Sequence, residues 1–182
     1  GYDARIVTFT LQYPSFLFPG KTQYSESPPP KGIPIEERVN SINPLNWFRV
    51  GLYIRRSAPD LLISKYWLPF MGPCFGTIAR LVRGNKHTKI ITVIDNIIPH
   101  EHRPGDRIFT RYFVKPVHGF VAMSRQVLED LKQFNTKRPA VLSPHPLFDN
   151  FGPPIPMEVA KKKLGLPEDF RFLLFFGFIR DY

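Results

Sequence analysis

The sequence predicts an α/β fold, a doubly wound, Rossmann-like arrangement with a mostly parallel sheet. Three observations point there. Short β-rich apolar runs alternate with helical patterns along the chain. The clearest run, KIITVI at residues 89–94, is strongly β-branched, as central strands are. The run at 172–176 is continuously apolar and bounded by turn residues, the pattern of a strand buried on both faces.

The elements follow in order. Residues 4–10 (ARIVTFT) read as a strand, followed by a long Pro- and Ser-rich loop and a possible short strand over 35–42. Asn43-Pro44 opens a helix, Pro being suited to the first turn. Leu45, Phe48 and Leu52 fall on one face of that helix, and Arg55 and Arg56 sit at its C-terminal end, where the dipole favours positive charge. A short buried strand is expected at 60–64 (DLLIS), then a helix over about 70–82 with Phe75, Ile78, Leu81 and Val82 as its apolar face. After KIITVI comes the loop DNIIPHEHRPG, and then a helix capped by Asp106 with Ile108, Phe109, Tyr112 and Phe113 on a common face. Residues 119–123 form a strand; Ser124 caps a helix that buries Val127, Leu128, Leu131 and Phe134. A strand at 140–143 and a helix at 157–164 lead to the final apolar run.

Composition narrows the class. Charged residues make up 22% and hydrophobic residues 43%, ordinary for a globular protein. The single cysteine, Cys74, excludes an internal disulfide framework and fits a reducing compartment. No apolar stretch approaches the roughly 18–20 residues of a membrane span. Twenty prolines, about double the usual ~5%, concentrate in two loops with interleaved aromatics, which are expected to be ordered. The net charge of +10, from 25 Lys and Arg against 15 Asp and Glu, favours anionic partners such as phosphate-bearing ligands or a membrane surface. There is no long basic run and no basic-aromatic nucleic-acid motif, so nucleic acid is not an expected partner. The strand-like start at 4–10 and the buried run close to Tyr182 read as a piece of a longer protein, with one domain over 1–165 and the opening of another over 166–182.

Ligands of open parallel sheets gather beyond the C-terminal strand ends. That rule singles out Tyr66 and Trp67 after DLLIS, the Asp95 loop, Ser124, and His145 after the strand at 140–143. Asp95, Asn96, His100, Glu101, His102 and Arg103 crowd one loop, where a carboxylate, an amide and imidazoles are able to orient a hydroxyl or take its proton. Asp95 and His100 are the expected catalytic pair; Asn96, Glu101, Tyr66, Trp67, Ser124 and His145 are expected to bind substrate. The alternative for this loop is structural: Asp95 and Asn96 satisfy backbone groups and the imidazoles face water. His-Glu-His invites a metal reading, but His118 and His145 lack a typical ligand spacing, and no metal is expected. Cys74, between Pro73 and Phe75, reads as packing.

The run LGLPEDFRFLLFFGFIRDY resembles the opening of the donor-binding domain in GT-B glycosyltransferases of family 4. DNIIPHE, SPHPLFDNFG and PDLLISKYWLPF are similar, in the same order, to that family's N-domain loop, pre-linker segment and preceding strand and turn. The resemblance implies a bacterial enzyme of surface polysaccharide or lipid-linked glycan synthesis, retaining, without metal or other cofactor, using a nucleotide-sugar donor and a glycan or lipid-linked acceptor. It implies that 1–165 is an acceptor-side domain lacking its first strand and helix, that the isolated piece is inactive, and that Gly177 and Arg180 lie near the donor diphosphate. It also implies a cytoplasmic location; the +10 charge and the aromatic-basic segment 47–56 add the expectation of peripheral attachment to the inner membrane face. Two departures stand out: Asp95 occupies the position where many relatives have His, and Arg180 is offset from the usual Gly-Arg pair. The competing reading is a non-catalytic Rossmann-like module that binds an anionic ligand or partner.

Overall fold

The computed structural model describes residues 1–15, 28–99, 103–134, 137–146 and 152–175. The chain falls into two compact units, Gly1–His145 and Pro146–Tyr182.

The first unit holds two parallel sheets. β1 (Ile6–Leu11) pairs with β2 (Ile35–Asn40), and β3 (Leu61–Tyr66), β4 (Lys89–Ile94), β5 (Gly119–Ala122) and β6 (Ala140–Leu142) follow one another in spatial order. α1 (Pro44–Ser57), α2 (Gly72–Arg83), α3 (Asp106–Val114) and α4 (Arg125–Leu131) connect them, with a 3-10 turn, Pro69–Met71, ahead of α2. This is the α/β, Rossmann-like parallel arrangement that the alternation of elements predicts.

Because β3 to β6 are consecutive neighbours, right-handed crossovers put α2, α3 and α4 on one face of the sheet. That face is the core. Tyr66, Ile90, Thr92, Ile94, Phe120 and Ala122 point into it and are buried. Tyr66 stacks on Phe113 with ring centroids 4.3 Å apart. On the opposite face Leu61, Ile63 and Val141 remain between 49% and 62% exposed. β3 is therefore not the doubly buried strand that DLLIS suggests, since one of its faces has no covering layer among the described residues.

Local chemistry explains the helix ends. The Asn43 side chain accepts from the Asn46 N–H at 3.2 Å, with Pro44 in the first turn. The Ser124 hydroxyl accepts from the Val127 N–H at 3.2 Å. Asp106 is not the cap of α3: Gly105, at φ 95, takes that place, and the Asp106 carboxylate accepts instead from the Arg103 N–H at 2.8 Å. A positive φ favours glycine there.

Three predicted faces are rotated. α1 buries Val50, Gly51 and Ile54, while Leu45 and Phe48 are exposed, because the helix packs on α2 through a glycine. A Cβ at Gly51 would meet Leu81 Cδ1 at 2.6 Å, so the close approach of the two helices selects the small residue. α2 buries Cys74, Ile78, Ala79 and Val82, with Phe75 and Leu81 only partly covered. α3 buries Thr110, Phe113 and Val114; Ile108 is 68% exposed.

In the second unit, α5 (Met157–Leu164) ends at Gly165, φ 67, with bonds from Gly165 N to Lys162 O and from Leu166 N to Lys161 O. This double closure is the left-handed glycine stop. The expected domain boundary at residue 165 falls at that stop, inside this unit. The expected buried strand at 172–176 does not form over its described part: residues 172–175 carry no strand pairing, Leu173 and Leu174 are fully exposed or nearly so, and residue 176 lies outside the described residues. A strand needs a neighbour to satisfy its backbone, and the described residues of this unit supply none.

Candidate functional site

The site is built where the core sheet ends. Asp95 N–H donates to Tyr66 O at 3.0 Å, Met123 N–H to Ile94 O at 3.0 Å and Ser143 N–H to Ala122 O at 2.9 Å. Each bond carries the parallel ladder one residue past its strand, so the first loop residues are held as firmly as the strands. Side chains alternate across a sheet, and Lys65 pairs in register with Val93, two residues before Asp95. Lys65 and Asp95 therefore share the face that no helix among the described residues covers.

Their side chains meet. Lys65 Nζ lies 2.9 Å from Asp95 Oδ2, and His145 Nε2 lies 3.6 Å from Asp95 Oδ1. Oδ1 is shielded from solvent and has no hydrogen-bond partner. An unpaired buried acceptor costs about 1–3 kcal/mol, more when charged, so this oxygen is a place where a donor is favoured.

A cleft of about 630 Å³ opens beside Asp95. Its polar lining is Asp95, Asn96, Ser124, Gln126 and Asp130, and Ile98, Pro99 and Val127 supply apolar walls. Gln126 Nε2 donates to Asp130 Oδ1 at 3.0 Å across one turn of α4. A carboxylate that accepts, amides that do both and a hydroxyl, set among apolar walls, suit a ligand with several hydroxyl groups.

Of the sequence-predicted residues, the structure brings Asp95, Asn96 and Ser124 to this cleft and sets His145 against Asp95. Tyr66 is not a surface residue. It is fully buried, its hydroxyl 3.0 Å from the Thr110 hydroxyl, and burial pushes its ionisation well above the ordinary tyrosine range. The cause is its place in β3: it points to the covered face, where Lys65 points to the open one. Trp67 is partly buried, its indole N–H donating to the Tyr13 hydroxyl and its ring set edge-on to Phe9 and Phe75. It joins the β1 end to the α2 face rather than lining the cleft. His100, Glu101, Gly177 and Arg180 lie outside the described residues.

Sequence reasoning missed Lys65, Gln126 and Asp130. The alternation within β3 carries the signal for Lys65, and the i, i+4 spacing just after the Ser124 cap carries it for the other two.

No group of three or more His, Cys, Asp or Glu among the described residues is placed to hold a metal ion. Burial pushes the Cys74 thiol up to about 12, which makes it an unreactive packing group. At the other end of the strands His118 accepts from Ile90 N–H at 3.0 Å through Nδ1. Desolvation, then Arg83, Arg138 and Lys89, hold its ionisation below the ordinary histidine range.

Fold and site together define an α/β protein with a Rossmann-like parallel sheet and a polar cleft at its C-terminal strand ends. No protein-family model matches the chain, and no curated protein matches it. No helix among the described residues is long and apolar enough to cross a membrane.

Proposed function

We propose that the chain forms the acceptor side of a glycosyltransferase that moves a sugar from a nucleotide-sugar to a glycan or lipid-linked acceptor. One observation carries this reading: at the C-terminal strand ends, where open parallel sheets take ligands, a cleft of about 630 Å³ is lined by the polar side chains of Asp95, Asn96, Ser124, Gln126 and Asp130. The hydroxyls of a sugar match that set: carboxylates accept from them, and the amides of Asn96 and Gln126 and the Ser124 hydroxyl both donate and accept. The resemblance of the four motifs to family 4 GT-B enzymes supports the same reaction. Residues on the exposed face of α1, Leu45 and Phe48 with Arg49 and Arg56, support peripheral attachment to an anionic membrane, where a lipid-linked acceptor resides.

The test is release of free nucleoside diphosphate when the complete gene product is incubated with a panel of nucleotide-sugars and glycan acceptors. Asp95→Asn is expected to lower turnover about 10–100-fold. No release with any donor, or an unaffected Asp95→Asn enzyme that folds normally, would remove the reading.

A second reading, a module that binds an anion without catalysis, is favoured by the basic cluster around His118. Arg83 and Arg138 there already donate to the carbonyls of Lys115 and Pro116 at the end of α3. Those bonds weigh toward a capping role for both guanidinium groups.

A further inference from the structure

Asp95 is held from two sides. Lys65 Nζ lies 2.9 Å from Oδ2. Oδ1, buried and without a hydrogen bond, faces His145 Nε2 at 3.6 Å, a few tenths of an ångström beyond hydrogen-bond range. The imidazole itself is half exposed, at 53%. Of the two groups paired with Asp95, it is the one set against the buried oxygen. His145 sits two residues past Ser143, whose N–H is tied to Ala122 O, so the approach to Asp95 starts from a fixed point of the sheet. Pro144 and Pro146 flank it and restrict the backbone on both sides.

We propose that Asp95 and His145 form a carboxylate–imidazole pair, in which His145 exchanges the proton with a bound ligand hydroxyl and Asp95, clamped by Lys65, is its positioning residue. A carboxylate at Nε2 selects the tautomer with its proton on that nitrogen and leaves the Nδ1 lone pair free. In the proton step the ligand O–H bond breaks, its electron pair stays on oxygen, and a new N–H bond forms at Nδ1. The imidazolium that results is stabilised by Asp95, whose other oxygen is met by Lys65. The pair accounts for the departure at position 95: with Asp on the central strand end, the imidazole comes from the strand next but one. Only the identity of the hydroxyl rests on the function proposed above.

The test is imidazole proton NMR of the full 182-residue chain labelled with 15N-histidine. A carboxylate-bonded Nε2–H is expected as a downfield, slowly exchanging resonance, assigned to His145 by its loss in His145→Gln. It should vanish in Asp95→Ala, move upfield in Asp95→Asn, which keeps an acceptor oxygen but not its charge, and survive in Lys65→Met. Absence of the resonance in the wild-type chain, or its persistence unchanged in Asp95→Ala and Asp95→Asn, would overturn the proposal. The backbone amide spectrum of each variant reports whether it folds, and Asp95→Asn decides the matter if Asp95→Ala does not. The outcome is independent of transfer activity: the resonance without nucleoside diphosphate release removes the proposed function and leaves the pair, and the reverse removes the pair alone.

Discussion

If Tyr66 bound substrate, its replacement by Phe would weaken binding and spare stability. The structure requires the opposite. The Tyr66 and Thr110 hydroxyls lie 3.0 Å apart in residues that are 0% and 1% exposed. Deleting the tyrosine hydroxyl forfeits a net bond of about 1 kcal/mol and strands the threonine hydroxyl, at a further cost of up to about 1–3 kcal/mol. A helical threonine can turn back to a carbonyl one turn earlier, which recovers part of that. The expected loss for Tyr66→Phe is therefore about 1–2 kcal/mol, and Thr110→Val should lose a similar amount. The double variant removes both partners and is expected to lose less than the sum, with a coupling of about 1 kcal/mol. Urea unfolding of the four chains measures the cycle; for a chain of this size each kcal/mol also lowers Tm by about 2–4 °C. Additive losses would refute the buried bond. So would a Tyr66→Phe chain of unchanged stability that binds ligand less well.

Three further outcomes follow from packing and charge. Cys74, raised from 9.0 to about 12 by burial, should resist thiol reagents in the folded chain and react once unfolded. Its folded value exceeds the unfolded one, so the stability it contributes is whole below pH 9.0 and is lost as pH climbs toward about 12; Cys74→Ala should flatten that alkaline loss. Gly72→Ala should destabilise although Ala is the better helix former, because the new Cβ would meet the Phe109 carbonyl oxygen at 2.5 Å, and backbone cannot rotate aside. Overpacking of about 1–3 kcal/mol outweighs the ~0.5–1 kcal/mol helix gain, and thermal melting that rises instead would contradict the close approach of α2 and α3. Vesicles of anionic lipid should co-sediment the complete protein better than neutral ones, and Leu45→Ser with Phe48→Ser should weaken that binding; equal binding to both vesicle types would exclude an electrostatic contribution.

The elements that sequence made legible are those with local causes. KIITVI is a strand because five of its six side chains are β-branched, and it emerges as Lys89–Ile94. Asn43 and Ser124 cap helices because their side chains reach an N–H three residues on. What stayed hidden depends on neighbours. The inward faces of α1 and α3 are set by close helix contacts at Gly51 and Gly72, which periodicity does not register. Leu61 and Ile63 read as core until the sheet order shows three crossovers to one side. At the site, Asp95 was legible because it directly follows the strongest strand. Tyr66 was misread for the same reason, since one residue of register decides which face a side chain joins. Lys65 stays hidden because only the strand register brings it beside Asp95.

The central claim is that ligands bind at the Asp95 end of the sheet. Amide NMR of the 15N-labelled chain, titrated with neutral mono- and disaccharides and then with inorganic phosphate, tests it directly. Shifts from the sugars are expected to be confined to Asn96, Ser124, Gln126 and Val127 around the cleft and to be reduced in Asp95→Asn. Sugars that leave those amides unmoved, with phosphate instead shifting Lys89, His118 and Arg138 at the opposite end, would contradict it.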